Sequence, residues 1–553
     1  MRAAINLIIR ARTTVAVALL LLPVLVAAGP PDGDGDYDEL LAVYAELRAL
    51  EATGHGMPSY GPDEVAVFRA RLAGLQARMQ DMAVASWTVP EQVDWLTVRA
   101  EIDQQQFIVE VTRPWGRDPV FYIAGLLEVA FTDLPVSGDD RAALEHQLAA
   151  IPGALAEAKE NLTDVAVDYA DLAIRSLVLS DGVENGYPYR EKPPDGIIGW
   201  YEDLRERASE RQPELRSAID EALAALREFH DWLEDNRDSM RAKNGVGKRA
   251  LDWFVQYALL LPYTTDTMME LCQREYDRLW GFLALEQQRN RSEPEIGIAR
   301  SRAEYWARLE ATDALVRNFL VDDDFISIPD YIPTDWREMG YNVPWIVRAT
   351  QPNFWEQVQF RDPFPDHVHA VIPGHRFDAM LAAANPNPIR ATVNSGSRWQ
   401  GWAVYLEEAT LMAGALDNHP RARELVYIFG IWRAARAMGD IHNQWNTKTA
   451  KQTAEYWVES TPLLDPDVAR KYAYLRPMPG HGLEYTIGSI EMWRLLADVK
   501  RQRGADFSVG RFHDEFIAKG RIPLSLIRYE MTGLTDDVDS FWDRPPIESV
   551  VEP

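Results

Sequence analysis

"PELRSAIDEALAALREFHDWLED", Pro213 to Asp235, decides the fold class. Leu215, Ile219, Leu223, Leu226, Phe229 and Leu233 recur at steps of three and four, with charged residues between them. That spacing gathers the apolar side chains on one face of a 3.6-residue helix and leaves the charges on the other. Pro213 stands at a plausible first-turn position, where an amide hydrogen would have no intrahelical acceptor. The same pattern runs through "DYDELLAVYAELRALEA" (36–52), "DEVAVFRARLAGLQARMQDM" (63–82) and "DRAALEHQLAAIPGALAEAKENL" (140–162). It returns in "TTDTMMELCQREYDRLWGFLALEQQ" (264–288) and "SRAEYWARLEATDALVRNFL" (301–320). Strand alternation is scarce, with short candidates at "DDDFISIP" (322–329) and "VPWIVRAT" (343–350). These readings predict a mainly α fold with few short strands. A proline-rich loop region, 321–365, separates an N-terminal helical lobe (29–320) from a C-terminal one (321–553), with a groove between them.

The 553-residue chain carries a formal net charge of −28, which argues against nucleic acid or an anionic membrane surface as partner. Arg2, Arg10 and Arg12 precede the apolar run "TTVAVALLLLPVLVAA", and Ala27, Ala28 and Gly29 suit a cleavage site. Residues 1–28 therefore read as a secretory signal, and the protein as exported to the periplasm or beyond, with no membrane partner after cleavage. No Cys follows the apolar run, which argues against a lipid anchor there. The single cysteine, Cys272, allows no intramolecular disulfide and reads as a buried helix residue rather than a catalytic thiol.

In "DHVHAVIPGHRFD" (366–378), His367, His369 and His375 crowd into nine residues. Zinc hydrolases place two histidines so that they converge, with a glutamate beside the first to deprotonate metal-bound water. Here His369 and His375 are six apart, so Pro373-Gly374 must break the helix to bring them together. Alanine occupies position 370, where that glutamate would stand. Downstream, "SRWQGWAVYLEEATLMAGALD" predicts a helix with Gln400 and Glu407 on one face. Glu407 and its neighbour Glu408 diverge by about 100° on a helix, which argues against a glycosidase pair. "KNGVGK" (243–248) has Ala242 where a phosphate-binding loop needs glycine, so it reads as a turn.

"HAVIPGH", "QGWAVYLEE", "RAARAMGDIHNQWN", "PGHGLEYTIG" and "FHDEFIAKGRIPLSLIRYEM" follow one another in the order seen in the bacterial domain-of-unknown-function family 885. The chain resembles that family, which in turn resembles the thermostable carboxypeptidase and other HExxH-type metallopeptidases of gluzincin-like architecture. The family's H-E-x-x-P-G-H maps metal ligands onto His369 and His375 and the general base onto Ala370. Its E-G-W-A-x-Y-x-E maps the third ligand onto Gln400, a weak donor for zinc. The resemblance implies a zinc-dependent hydrolase of short peptides or amides with a degenerate motif. Alternatives are a catalytically silent ligand-binding pseudoenzyme and a metal-dependent lyase or isomerase. In the hydrolase reading, Tyr485 stabilises an oxyanion, and Glu407 and His481 act beside it. Arg476 clamps a peptide carboxylate, and His442, oriented by Asp440, binds substrate. His513 and Asp514 are expected to buttress a helix.

Overall fold

An apolar stripe on a helix has to be covered, and the way these stripes cover one another places the candidate site. The computed structural model describes residues 29–52, 60–179, 194–345, 351–474 and 479–551. The N-terminal signal expected at 1–28 and the Arg476 clamp lie outside the described residues.

Three helices open the chain: α1 (Tyr37–Ala52), α2 (Pro62–Gln80) and α3 (Val89–Phe107). Thr88 and Glu91 cap the start of α3 reciprocally, each side chain meeting the other residue's backbone N–H. Next come α4 (Gly138–Asn161), α5 (Val167–Val178), α6 (Gly196–Arg211) and α7 (Arg216–Asn236). The decisive stretch forms α7 as its spacing predicts, and Ile219, Leu223, Leu226, Phe229 and Leu233 are all buried. Pro213 opens a short 3-10 turn just before it. α8 (Thr265–Arg289) and α9 (Arg302–Asp322) begin at Thr264 and Ser301, whose side chains accept hydrogen bonds from Thr267 and Glu304 amides.

The site is built from α10 (Phe364–Ala370), α11 (His375–Ala383), α12 (Gly396–Met412), α13 (Pro420–Gln444), α14 (Pro466–Tyr474) and α15 (His481–Arg503). α12 packs along α15, α15 along α13, and α13 along α8. The first crossing is close because glycine meets glycine: a Cβ on Gly401 would lie 2.4 Å from the Gly488 carbonyl carbon. One hydrophobic core joins α1–α3 to the helices after residue 320, from Leu40 and Val109 to Phe354 and Phe541. A second cluster, Tyr122 to Met240, is filled by the segment 122–134 and by α4–α7 with their connections. The two sides of residue 320 thus share a core.

Residues 322–329 do not form the expected strand. Phe325 and Ile326 are buried, but side chains rather than a neighbouring strand satisfy the backbone. His513 Nδ1 donates to the Phe325 carbonyl at 2.7 Å, and the Ser327 amide donates to Asp514 Oδ1 at 2.9 Å. Of the second candidate, 343–345 are irregular and 346–350 lie outside the described residues. The described residues contain isolated β-bridges only, Gly35 with Met82 and Ala166 with Arg241. The fold is mainly α. "KNGVGK" is the turn its residues imply, docked on the end of α13 through the Gly247 amide and the Gln444 carbonyl, 2.9 Å apart. Cys272 is fully buried on α8, and burial pushes its thiol far above the ordinary range.

Candidate functional site

α10 is short because Pro373 cannot continue it and Val371 leaves the helical region. Gly374 then starts α11. The turn folds back so tightly that a Cβ at 374 would lie 1.9 Å from the His369 carbonyl oxygen. Trp402 of α12 donates its indole N–H to the Pro373 carbonyl at 3.0 Å and fixes the turn in place. Beneath it, Arg398 of α12 grips both oxygens of Asp378 on α11, at 2.7 and 3.2 Å, in a fully buried pair. This scaffold brings the rings of His369 and His375 together, with centroids 4.6 Å apart and planes at 78°.

Each ring is held by protein groups. His369 Nδ1 shares a hydrogen bond with Glu407 Oε1 at 2.7 Å. Arg433 of α13 closes on the same carboxyl group, donating from Nη1 to Oε2 at 2.8 Å with Nη2 2.7 Å from Oε1. Its Nη2 is also 3.2 Å from His369 Nδ1. His375 Nε2 donates to Gln400 Oε1 at 3.1 Å, and its ring stacks on Trp399 with centroids 4.3 Å apart. Burial, reinforced by Arg433, holds His369 well below the ordinary histidine range. Burial followed by its neighbour His369 does the same to His375. Glu407 moves the other way: burial raises its carboxyl to about 8 against the pull of Arg433.

The remaining expected residues fall in three places. Tyr485 lies inside the site, its ring parallel to His369 at 6.3 Å and 5.5 Å from His481. His481 Nδ1 meets Glu484 Oε2 at 3.2 Å. With Trp399 and Gln400, these two line a cavity of about 260 Å³ whose opposite wall is Thr97, Glu101 and Gln104 of α3 and the 254–259 segment. His442 bonds Thr447 in the turn after α13 instead, at 2.9 Å. Asp440 accepts from the Gly482 amide at 2.9 Å. His367 turns away to Asp313 of α9, at 3.0 Å. Glu408 points to Arg278, bonded at 2.7 Å, so the adjacent acids diverge as expected. His513 is a buttress, accepting from the Tyr405 hydroxyl at 2.9 Å while donating to Phe325.

A zinc site needs at least three convergent donors with unshared lone pairs. Among the described residues no group of three His, Cys, Asp or Glu side chains is placed to hold a metal. Arg433 already occupies both oxygens of Glu407 and lies against His369 Nδ1. The proton that His375 Nε2 gives to Gln400 is on the nitrogen that faces that expected ligand. His375 Nδ1 is buried with no partner, and the contacts with Glu407 and Arg433 are made by His369 Nδ1 and not by its Nε2. Of the ligands the resemblance implies, His369 and His375 are brought together and Gln400 is bonded to His375.

The helix pair carrying His369, Gln400 and Glu407, and the arginines and Tyr485 packed on it, lie in one continuous stretch of chain. Residues 367–531 match the family of bacterial proteins of unknown function called DUF885. The DUF885 match covers His369, His375, Gln400, Glu407, Arg433, His481 and Tyr485, and leaves the N-terminal half outside it. A search of curated proteins returns no match. The fold is similar to a candidate lipoprotein of unknown function from Shewanella oneidensis. That likeness has a TM-score of 0.69 and 15% identity over 89% of this chain and 97% of that one. It is also similar to a candidate lipoprotein from Colwellia psychrerythraea, with a TM-score of 0.66 and 15% identity over 92% and 99% of the two chains. At such identity the likeness is one of fold, and none of these descriptions names an activity.

Sequence reasoning missed Arg433, Arg436 and Trp399. A signal was present: "RAARAMGD" places Arg433 and Arg436 one turn apart in the stretch 425–441, whose only other charged residue is Asp440. A helix buried all round that keeps two arginines has to pair or use them.

Proposed function

We propose that this chain is an exported binding protein for a small molecule or short peptide, built on a hydrolase-like scaffold whose reactive centre is closed by internal hydrogen bonds. The observation that carries this reading is the His369–Glu407–Arg433 cluster. A guanidinium takes both oxygens of Glu407 and approaches His369 Nδ1, so the carboxyl group nearest the histidines is engaged by protein groups and is not free to take a proton from water. Ala370, buried beside it, supplies no base. The scaffold retains the cavity beside Trp399, Gln400, His481 and Glu484, about 260 Å³ and close in size to the smaller ligand sites of proteins. An aromatic face, an amide, an imidazole and a carboxylate give that cavity polar and stacking contacts for a ligand with a peptide-like backbone. Export is supported by the basic and apolar N-terminal run.

The test is a library of acetylated di- and tripeptides incubated with the purified protein, followed by mass spectrometry for cleavage and by calorimetry for binding. Binding without cleavage is expected. Turnover that disappears in a His369→Ala, His375→Ala variant would overturn the reading and restore the hydrolase.

A further inference from the structure

Arg436 is unlike the other buried arginines of the C-terminal half. Arg390, Arg398, Arg423, Arg433 and Arg528 each meet a carboxylate. Arg436 is 3% exposed, its Nε is sealed from solvent with no hydrogen-bond partner, and among the described residues no ion pair reaches it. Asp440, one turn further along α13, accepts from the Gly482 amide and forms no ion pair with Arg436. The guanidinium is instead approached by two aromatic rings, Tyr472 of α14 at 4.5 Å and Tyr485 of α15 at 5.0 Å from its central carbon. Such contacts steady a cation over π-electrons but use none of its five N–H donors. A buried charge with no counter-ion is costly, and among the described residues no hydrogen-bond acceptor meets the Arg436 Nε.

We propose that Arg436 anchors a carboxylate subsite of the ligand cleft. The inference rests on the cavity reading above and adds the ligand's chemical class: a molecule ending in a carboxylate. Tyr485 connects the two regions, since its ring contacts both Arg436 and His481, which lines the cavity. A guanidinium edge pairs with a planar carboxylate through two parallel hydrogen bonds, a geometry that an ammonium group cannot reproduce. Arg433 lies one turn away but its guanidinium is engaged by Glu407, whereas no described carboxylate pairs with Arg436.

The experiment compares N-acetyl-Ala-Ala, with a free C-terminal carboxylate, and its C-terminal amide by isothermal titration against wild type, Arg436→Met and Arg436→Lys. Wild type should prefer the acid by about tenfold or more, the scale of hydrogen bonds to a charged group. That preference should vanish in Arg436→Met and shrink in Arg436→Lys, which keeps the charge but loses the fork. Circular dichroism of both variants separates lost binding from lost fold. Excess acetate distinguishes sources: competition places recognition in the carboxylate alone, and no competition places it in a peptide C terminus. Equal binding of acid and amide by wild type, or an undiminished preference in folded Arg436→Met, would overturn the subsite while leaving the cavity reading in place. Failure of both peptides to bind at millimolar concentration would overturn both.

Discussion

At His369 an imidazole, a carboxyl group and a guanidinium share a space closed to water, and their protonation follows from that confinement. Burial raises Glu407 from its ordinary 4.5 to about 8. Between those values the folded chain retains a proton that the unfolded chain releases, so this group makes stability fall as pH rises through the window. Glu407→Gln cannot titrate and mimics the protonated carboxyl. Its stability relative to wild type should climb from about pH 5 to about pH 8, by on the order of 1 kcal/mol per unit, measured as urea midpoints. A difference that stays flat over that range would contradict the assignment. His369 and His375 act with the opposite sign: both are held below the ordinary 6.5, so their contribution is lost as pH falls beneath it. None of this was legible in the sequence. His369 and Arg433 are 64 residues apart, and local spacing cannot reveal which distant cation meets a buried nitrogen.

The helices themselves were legible because their apolar stripes recur at three and four residues, and α7 buries the residues that this spacing selects. The break between α10 and α11 was legible too, since Pro373-Gly374 can neither continue a helix nor carry a side chain at 374. The strand expected at 322–329 failed for a reason periodicity does not encode. Its backbone groups are satisfied by His513 and Asp514, side chains almost 190 residues away. Equally hidden was Asp378–Arg398, the fully buried pair that joins α11 to α12. Removing one partner strands the other as a buried charge. Asp378→Ala should therefore cost roughly 3–5 kcal/mol in guanidinium unfolding. A loss below about 1 kcal/mol, the scale of an exposed pair, would show that the two groups do not hold the turn.

For the molecule as a whole, composition and the N-terminal run bounded the class, and five ordered motifs located the site within the stretch that matches DUF885. The core is organised differently from the chain. Leu40 through Val109 pack with Phe354 through Phe541, and Arg390 reaches back to Asp94 of α3 at 2.9 Å. A fragment comprising 321–553 should accordingly lack cooperative thermal unfolding, because it would expose the surface that α1–α3 cover. Co-expression with 29–320 should restore a folded complex. A sharp, independent transition in the isolated fragment would show that the core divides near residue 320 after all.

The closed His369–Glu407–Arg433 cluster is tested most directly by zinc content, measured by mass spectrometry after dialysis against micromolar zinc and then against buffer. The wild-type protein should retain far less than one zinc per chain. An Ala370→Glu, Gln400→Glu variant, which returns both missing carboxylates, should retain more. One zinc per wild-type chain, lost in His369→Ala, His375→Ala, would contradict the account.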